Sequence, residues 1–348
     1  MGGSRGKILF ILETMVTGLP GIWPLVQFAA CMQMLVYGDC ADRIDDHYQL
    51  SEGSADWSLK CFCRLVVESF PYYLNRCPTA QEKQRMTELM RKRGFPGCFG
   101  SWDCKHYFWR NCPNALAGQY KGKNGKTLVM EALVDSEMFI WYFNFGAPGS
   151  LNDLNVLDRS NIVGSLISGT FDTKIPAYKI NGTVRDWMYF LADGIYPCWP
   201  IFAKSVENPT HASEFVYTTA QEHVRKDVER AFGVLVSHFG VLDRKLRNWY
   251  IWDIKAMMDC CVIIHNMTVE ARRGQFSFSR SMDVPQEEVE EGAVVDSIFM
   301  DEGNEAGQAA QAVLVARLAH MSLSIEDRTK NIDLMADLTQ HVYDNRHY

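Results

Sequence analysis

Three apolar, strand-like runs crowd into fewer than fifty residues: Phe99 to Trp109, Thr127 to Val134 and Phe139 to Phe145. Asn124-Gly125 punctuates the approach to the second run, and Asp135-Ser-Glu137 leaves room only for a tight reversal before the third. Strands joined so closely pair antiparallel, so this stretch predicts a meander. Gly146-Ala-Pro-Gly149 then breaks the run, and a helix is expected over Asn152 to Ser160. Trp187 to Ala192 reads as a further, buried strand, because its apolar run is continuous. Long helices are expected over Thr218 to Phe239 and Trp252 to Arg272.

A meander, a helix, another strand and C-terminal helices follow the order of a ribonuclease-H-like α/β domain, a mixed sheet with flanking helices. Ahead of it, helices are expected over Trp23 to Tyr37 (ended by Gly38), Ala41 to Tyr48 and Ser51 to Leu74, with Ser51 as a cap. In the third, Trp57, Phe62, Leu65, Val66 and Phe70 recur at helical spacing. Three such helices suit either a small all-α, helix-turn-helix-like domain or a helical cap on the main domain. Lys83 to Arg93 is a basic, helix-prone segment ended by Gly94-Phe-Pro-Gly97. The expected organisation is an atypical segment 1–22, the helical domain 23–93, the α/β domain 94–274, an acidic linker 275–310 and a helical tail 311–348. Ile332, Leu334, Leu338 and Val342 are the tail's apolar members.

The formal net charge of -7 conceals an asymmetry, since residues 275–348 carry 5 Lys+Arg against 14 Asp+Glu. The body that precedes them is slightly basic, and its cations cluster. Eleven cysteines without a Cys-x-x-Cys pair suit a reducing compartment better than a disulfide framework or a zinc site. Glu13, Pro20 and Pro24 interrupt the apolar start as a signal peptide, and no apolar stretch reaches the ~20 residues that span a bilayer. Asn181-Gly182 reads as a hairpin turn.

Within this frame three acids stand in marked settings. Asp103 lies in Gly100-Ser-Trp-Asp-Cys-Lys-His106, Asp193 in Leu191-Ala-Asp-Gly-Ile-Tyr-Pro197, and Glu229 in Arg225-Lys-Asp-Val-Glu-Arg-Ala-Phe-Gly233. An Asp between Trp102 and Cys104, or after Leu191-Ala192, has neighbours that prefer burial, and a buried carboxylate must be paired or metal-bound. Cleaving a phosphodiester needs an activated oxygen and a stabilised leaving group. Two hard cations ~3.5–4 Å apart supply both, held by carboxylates on rigid elements. The three acids are therefore candidate catalytic and metal-binding residues, with Mg²⁺ or Mn²⁺ as the expected cofactor. Lys105, Arg110, Lys121, Lys123 and Lys126 surround Asp103, interleaved with Tyr107, Phe108, Trp109 and Tyr120, so these cations are candidate DNA contacts and these rings candidate stacking partners. Arg225, one turn before Glu229, is expected to contact a phosphate or to orient Glu229.

These motifs, with Gly94-Phe-Pro-Gly97, Asn111-Cys-Pro-Asn114, Gly118-Gln-Tyr120, Gly146-Ala-Pro-Gly-Ser-Leu-Asn-Asp153, Asn155-Val-Leu-Asp-Arg-Ser160 and Ile263-Ile-His-Asn-Met267, resemble the PIF/Harbinger group of transposases and its plant-transposon-protein branch. The resemblance runs from about Phe28 to Arg273. It implies a ribonuclease-H-like core with an Asp-Asp-Glu triad at Asp103, Asp193 and Glu229. It also implies metal-dependent cleavage at element ends with strand transfer, a nuclear location and a separate Myb-like DNA-binding partner. Asp153, which also lies in a matching segment and opens a helix, is expected to support the ligands from behind or to be structural. Two other readings are a silent nuclear protein that acts through chromatin contacts, and a DNA-binding module at Phe28 to Leu74. Homo-oligomerisation is left open by the sequence.

Overall fold

The computed structural model describes residues 22–123, 125–243, 246–273 and 327–346. The elements in order are α1 (Pro24–Tyr37), α2 (Ala41–Tyr48), α3 (Glu52–Ser69), α4 (Ala80–Lys92), β1 (Cys98–Phe108), α5 (Ala117–Tyr120), β2 (Lys121–Gly122), β3 (Gly125–Val134), β4 (Ile140–Pro148), α6 (Asp153–Leu157) and α7 (Asn161–Ser168). They continue with β5 (Lys174–Ile180), β6 (Thr183–Trp187), β7 (Tyr189–Ala192), β8 (Phe202–Lys204), α8 (Ala212–His238), α9 (Gly240–Asp243), α10 (Ile251–Arg272) and α11 (Arg328–Asp344). Most of the segment 1–22, the acidic linker 275–310 and Asn124 lie outside the described residues.

The expected meander forms. β3 pairs antiparallel with β1 and β4, while β7 joins β1 in parallel and β8 joins β7 in parallel. The sheet thus runs β3, β1, β7, β8 with β4 outside β3, and β1 sits at its centre. Gly100 is required where the β1–β7 register shifts, because a Cβ there would stand 2.2 Å from the Val134 carbonyl oxygen. Alternation along β3 serves both faces. Leu128, Met130, Ala132 and Val134 pack with α8 and α10, and Leu133 turns to Trp102, Trp141 and Phe190 on the other side.

Two expectations about elements are corrected. The run from Trp187 is not one strand: Trp187 ends β6, the hairpin partner of β5, and β7 starts at Tyr189. Asn181 and Gly182, both at positive φ (47° and 89°), make the predicted turn between β5 and β6. Within α3 Trp57 is 60% exposed, and Phe70 just past its end is also exposed, so the apolar stripe narrows to Ala55, Leu59, Phe62, Cys63 and Val66, which join a cluster with α1, α2 and α10. Pro71 stops that helix at Ser69, short of Leu74.

Helices α1 to α3 share one hydrophobic cluster with β3, β4, α8 and α10, the packing of a cap. The cations on α3 point to protein, since Lys60 and Arg64 both bind Asp253 (3.3 and 3.2 Å). At the opposite edge α11 buries Leu334, Leu338 and Val342 against Tyr189, Leu191 and Tyr217, whereas Ile332 is 64% exposed. The Asn331 amide donates to the carbonyls of Trp199 and Phe202 (2.6 and 2.8 Å), and Arg185 binds Asp337.

Candidate functional site

The central strand, its parallel neighbour and one long helix decide where the three acids stand. Asp103 lies two residues beyond Ser101, which pairs with Leu191 of β7, and Asp193 is the first residue after β7. The parallel register therefore brings Asp103 and Asp193 to one level at the carboxyl edge of the sheet, where parallel strands present their ligand-binding groups. Asp193 accepts from the Gly194 amide (2.8 Å) and is exposed.

Helix α8 supplies Glu229, and one buried side chain fixes its position. Gln221 donates from Nε2 to the carbonyls of Ala192 (2.9 Å) and Ala203 (3.0 Å), clamping the helix to the ends of β7 and β8. Arg225 is one turn further and Glu229 two, so one helix face carries clamp, cation and acid in succession. A second lock comes from Asp227, buried and held by Arg93 and Arg230.

Arg225 joins the set together. Its guanidinium binds Asp103 (2.9 Å) on one side and Glu229 (3.3 Å) on the other. The pair with Glu229 is the contact that the expected orienting role of Arg225 requires. Burial pushes the Asp103 carboxyl up to about 6; the Cys104 amide and Arg225 oppose the rise, while Asp153 and Glu229 add to it.

Asp153 does open α6, with Asn152 as its cap, but its charge also raises Asp103 and is itself acted on by Asp193. Its own carboxyl is raised, by burial first, with Cys104 and His106 opposing. Beneath it the buried Glu131 accepts from Trp102 Nε1 (3.2 Å) and is pushed up to about 7, again chiefly by burial. His106 is held at Nδ1 by Thr127 Oγ1 (2.9 Å).

The basic residues divide. Arg110, Lys121 and Lys123 are exposed, the last two on the β2–β3 hairpin. Lys126 is half-buried and donates to the Cys112 carbonyl (3.4 Å), and Lys105 lies over the rings of Tyr107 and Phe232. Burial drives the Lys105 ammonium pKa down, and its stem packs beside Phe232 of α8. The expected stacking rings are corrected likewise. Tyr107, Trp109 and Tyr120 are buried, with Trp109 packed edge-on against Tyr120, and Phe108 is the exposed member.

Sequence reasoning passed over Gln221 and Glu131. Gln221 could have been found, since it precedes Arg225 and Glu229 at the same helical interval. Glu131 sits in an apolar run and offered no signal beyond being a charge among Val129, Met130, Ala132 and Leu133.

Among the described residues no three His, Cys, Asp or Glu side chains stand together at metal-holding spacing. The chemistry of the acids nevertheless suits a hard divalent cation, for they offer oxygen donors and an excess of negative charge at one edge. The family described as plant transposon protein matches residues 71–276, more than half of the chain. No curated protein and no solved structure matches it.

Proposed function

We propose that this chain, which belongs to the plant transposon protein family, is a metal-dependent DNA transposase or endonuclease of the PIF/Harbinger type. It would cut phosphodiester bonds at element ends and transfer the freed strand to a target. The observation that carries this reading is the gathering of Asp103, Asp153, Asp193 and Glu229 from four separate elements around one sheet edge, with Arg225 between two of them. A sheet ordered β4, β3, β1, β7, β8 with β3 antiparallel and β7 and β8 parallel to β1 supports a ribonuclease-H-like core.

Asp103, Asp193 and Glu229 are the residues that would hold Mg²⁺ or Mn²⁺. Two such ions supply an activated oxygen nucleophile and stabilise the leaving oxygen. The protein's own part is positional. Gln221 fixes α8 against the strand ends, Arg225 orients Asp103 and Glu229, and the exposed Arg110, Lys121 and Lys123 are placed to bind backbone phosphates. Work on DNA implies the nucleus, and a Myb-like protein that reads the terminal repeats would supply sequence recognition.

A labelled-DNA cleavage assay with Mg²⁺ or Mn²⁺ tests the reading. Asp103→Asn, Asp193→Asn and Glu229→Gln should each lower cleavage by at least about 10³-fold, the scale seen when one member of a catalytic set is removed. Cleavage retained by all three variants would contradict it.

A further inference from the structure

Beyond the carboxylates, the segment Leu246-Arg-Asn-Trp-Tyr-Ile-Trp252 carries three large rings on the surface. Trp249 is 57%, Tyr250 49% and Trp252 59% exposed. Tyr250 and Trp252 are stacked, with ring centres 4.6 Å apart and planes 13° from parallel. Exposed rings of this size forgo the hydrophobic gain of burial, so a run of three calls for an occupant.

The backbone beneath them is fixed. Leu246 donates to the Phe108 carbonyl and accepts from the Arg110 amide, both at 2.8 Å, and so continues the edge of β1. Trp109 Nε1 donates to the Asn248 carbonyl (2.9 Å), and the Asn111 amide donates to that of Arg247. Tyr250 caps the 22-residue helix α10. The rings are therefore presented on a preformed support and lose little freedom on binding.

Charge indicates what they bind. Residues 108–111 and 246–252 contain no acid, and Arg110 and Arg247 are exposed there. Phe108 lies against the β2–β3 hairpin that exposes Lys121 and Lys123. The acids that line a pocket with Arg247, Trp249 and Tyr250 are Asp39, Glu52, Asp56 and Asp253; Arg43 pairs with Asp39 (3.1 Å), Lys60 with Asp56 and Asp253 (2.9 and 3.3 Å), and Arg64 with Asp253 (3.2 Å). Flat, half-exposed rings with the exposed Arg110 and Arg247 on one side fit a polyanion that carries flat rings of its own.

We infer that Trp249, Tyr250 and Trp252 form a stacking platform for unpaired nucleobases of DNA, with Arg247 and Arg110 on the adjoining phosphates. The inference rests on the DNA substrate proposed above. Six residues of strand separate Asp103 from Trp109, about 20 Å at ~3.3 Å per residue. Trp109 pairs with Leu246 beneath the platform, and this span is about six nucleotides at 3.4 Å each.

The test is fluorescence anisotropy with the full chain, using a labelled 12-nucleotide oligothymidylate and a 12-unit abasic chain of equal charge. The parent should bind the thymidylate about 5- to 100-fold more tightly, the range of base–aromatic stacking. Trp252→Ala alone should remove a large part of that preference, and Trp249→Ala with Tyr250→Ala the rest. Arg247→Ala should weaken both probes alike and lower the salt slope by about one. Equal binding of the two probes by the parent, or an unchanged preference in the ring variants, overturns the platform. So does a shift of oligomeric state in those variants with thymidylate binding intact, which would assign the rings to a second copy. Cleavage that persists in the parent alongside any of these results leaves the proposed activity standing and removes the platform alone.

Discussion

Two places in this molecule hold carboxylates among partners from distant parts of the chain, and they treat them in opposite ways. Asp135 is fully buried and saturated: it accepts from the amides of Glu137 (2.8 Å) and Phe139 (3.0 Å), from Trp141 Nε1 (2.8 Å) and from Arg273 (2.6 Å). Arg273 also reaches Glu137, which Arg85 holds from the other side. At the sheet edge Asp103, Asp153, Asp193 and Glu229 stand near one another with Arg225 between two, and burial raises the carboxyls of Asp103 and Asp153. The first network is closed around Asp135 by protein donors, whereas the second leaves Asp193 exposed and Asp103 and Asp153 with raised carboxyls.

Removing an acid from each place should separate them most. Asp135→Ala strands three donors and a buried guanidinium, and the loss of a fully paired buried acid costs about 3–5 kcal/mol. Chemical denaturation should register that cost for Asp135→Ala, while Asp103→Ala changes stability by under about 1 kcal/mol, because Glu229 still holds Arg225. Equal costs at the two positions would break the comparison.

A smaller effect sharpens it. Glu131 lies beside the second set, its carboxyl raised to about 7 by burial and then by Asp153. A folded-state pKa above the ordinary 4.5 means that folding favours the protonated form. The stability this contributes is complete below about pH 4.5 and is lost as pH rises through about 7. Glu131→Gln cannot ionise and should exceed the parent at pH 8 by up to about 3 kcal/mol, with the gap closing by pH 4.5. Unfolding curves at the two pH values decide the matter, and a pH-independent difference would contradict the assignment.

What the sequence revealed and what it withheld follow from the range of each interaction. Asp103 on a central strand, Asp193 at a strand end and Glu229 on a helix were legible, because each depends on periodicity within its own element. The place of Gln221 on the Arg225 and Glu229 face of α8 was legible in the same way, but its two carbonyl partners were not, since no local pattern records a contact across 29 residues. The rings of Tyr107, Trp109 and Tyr120 were misread for the same reason. Interleaved aromatics and cations look alike whether the rings point outward or, as here, pack inward while 246–252 carries the exposed ones. Asp153 was read correctly as a helix opener, but its nearness to Asp103 and Asp193 depends on how α6 leaves β4.

The central proposal is that Asp103, Asp193 and Glu229 hold a divalent cation, and Mn²⁺ binding tests it most directly. In an electron paramagnetic resonance titration the folded parent should remove Mn²⁺ from the free signal, and so should a surface control such as Lys123→Ala. Asp103→Asn combined with Asp193→Asn and Glu229→Gln, folded by circular dichroism, should not. Equal Mn²⁺ uptake by that triple variant, or none by the parent, would contradict the account.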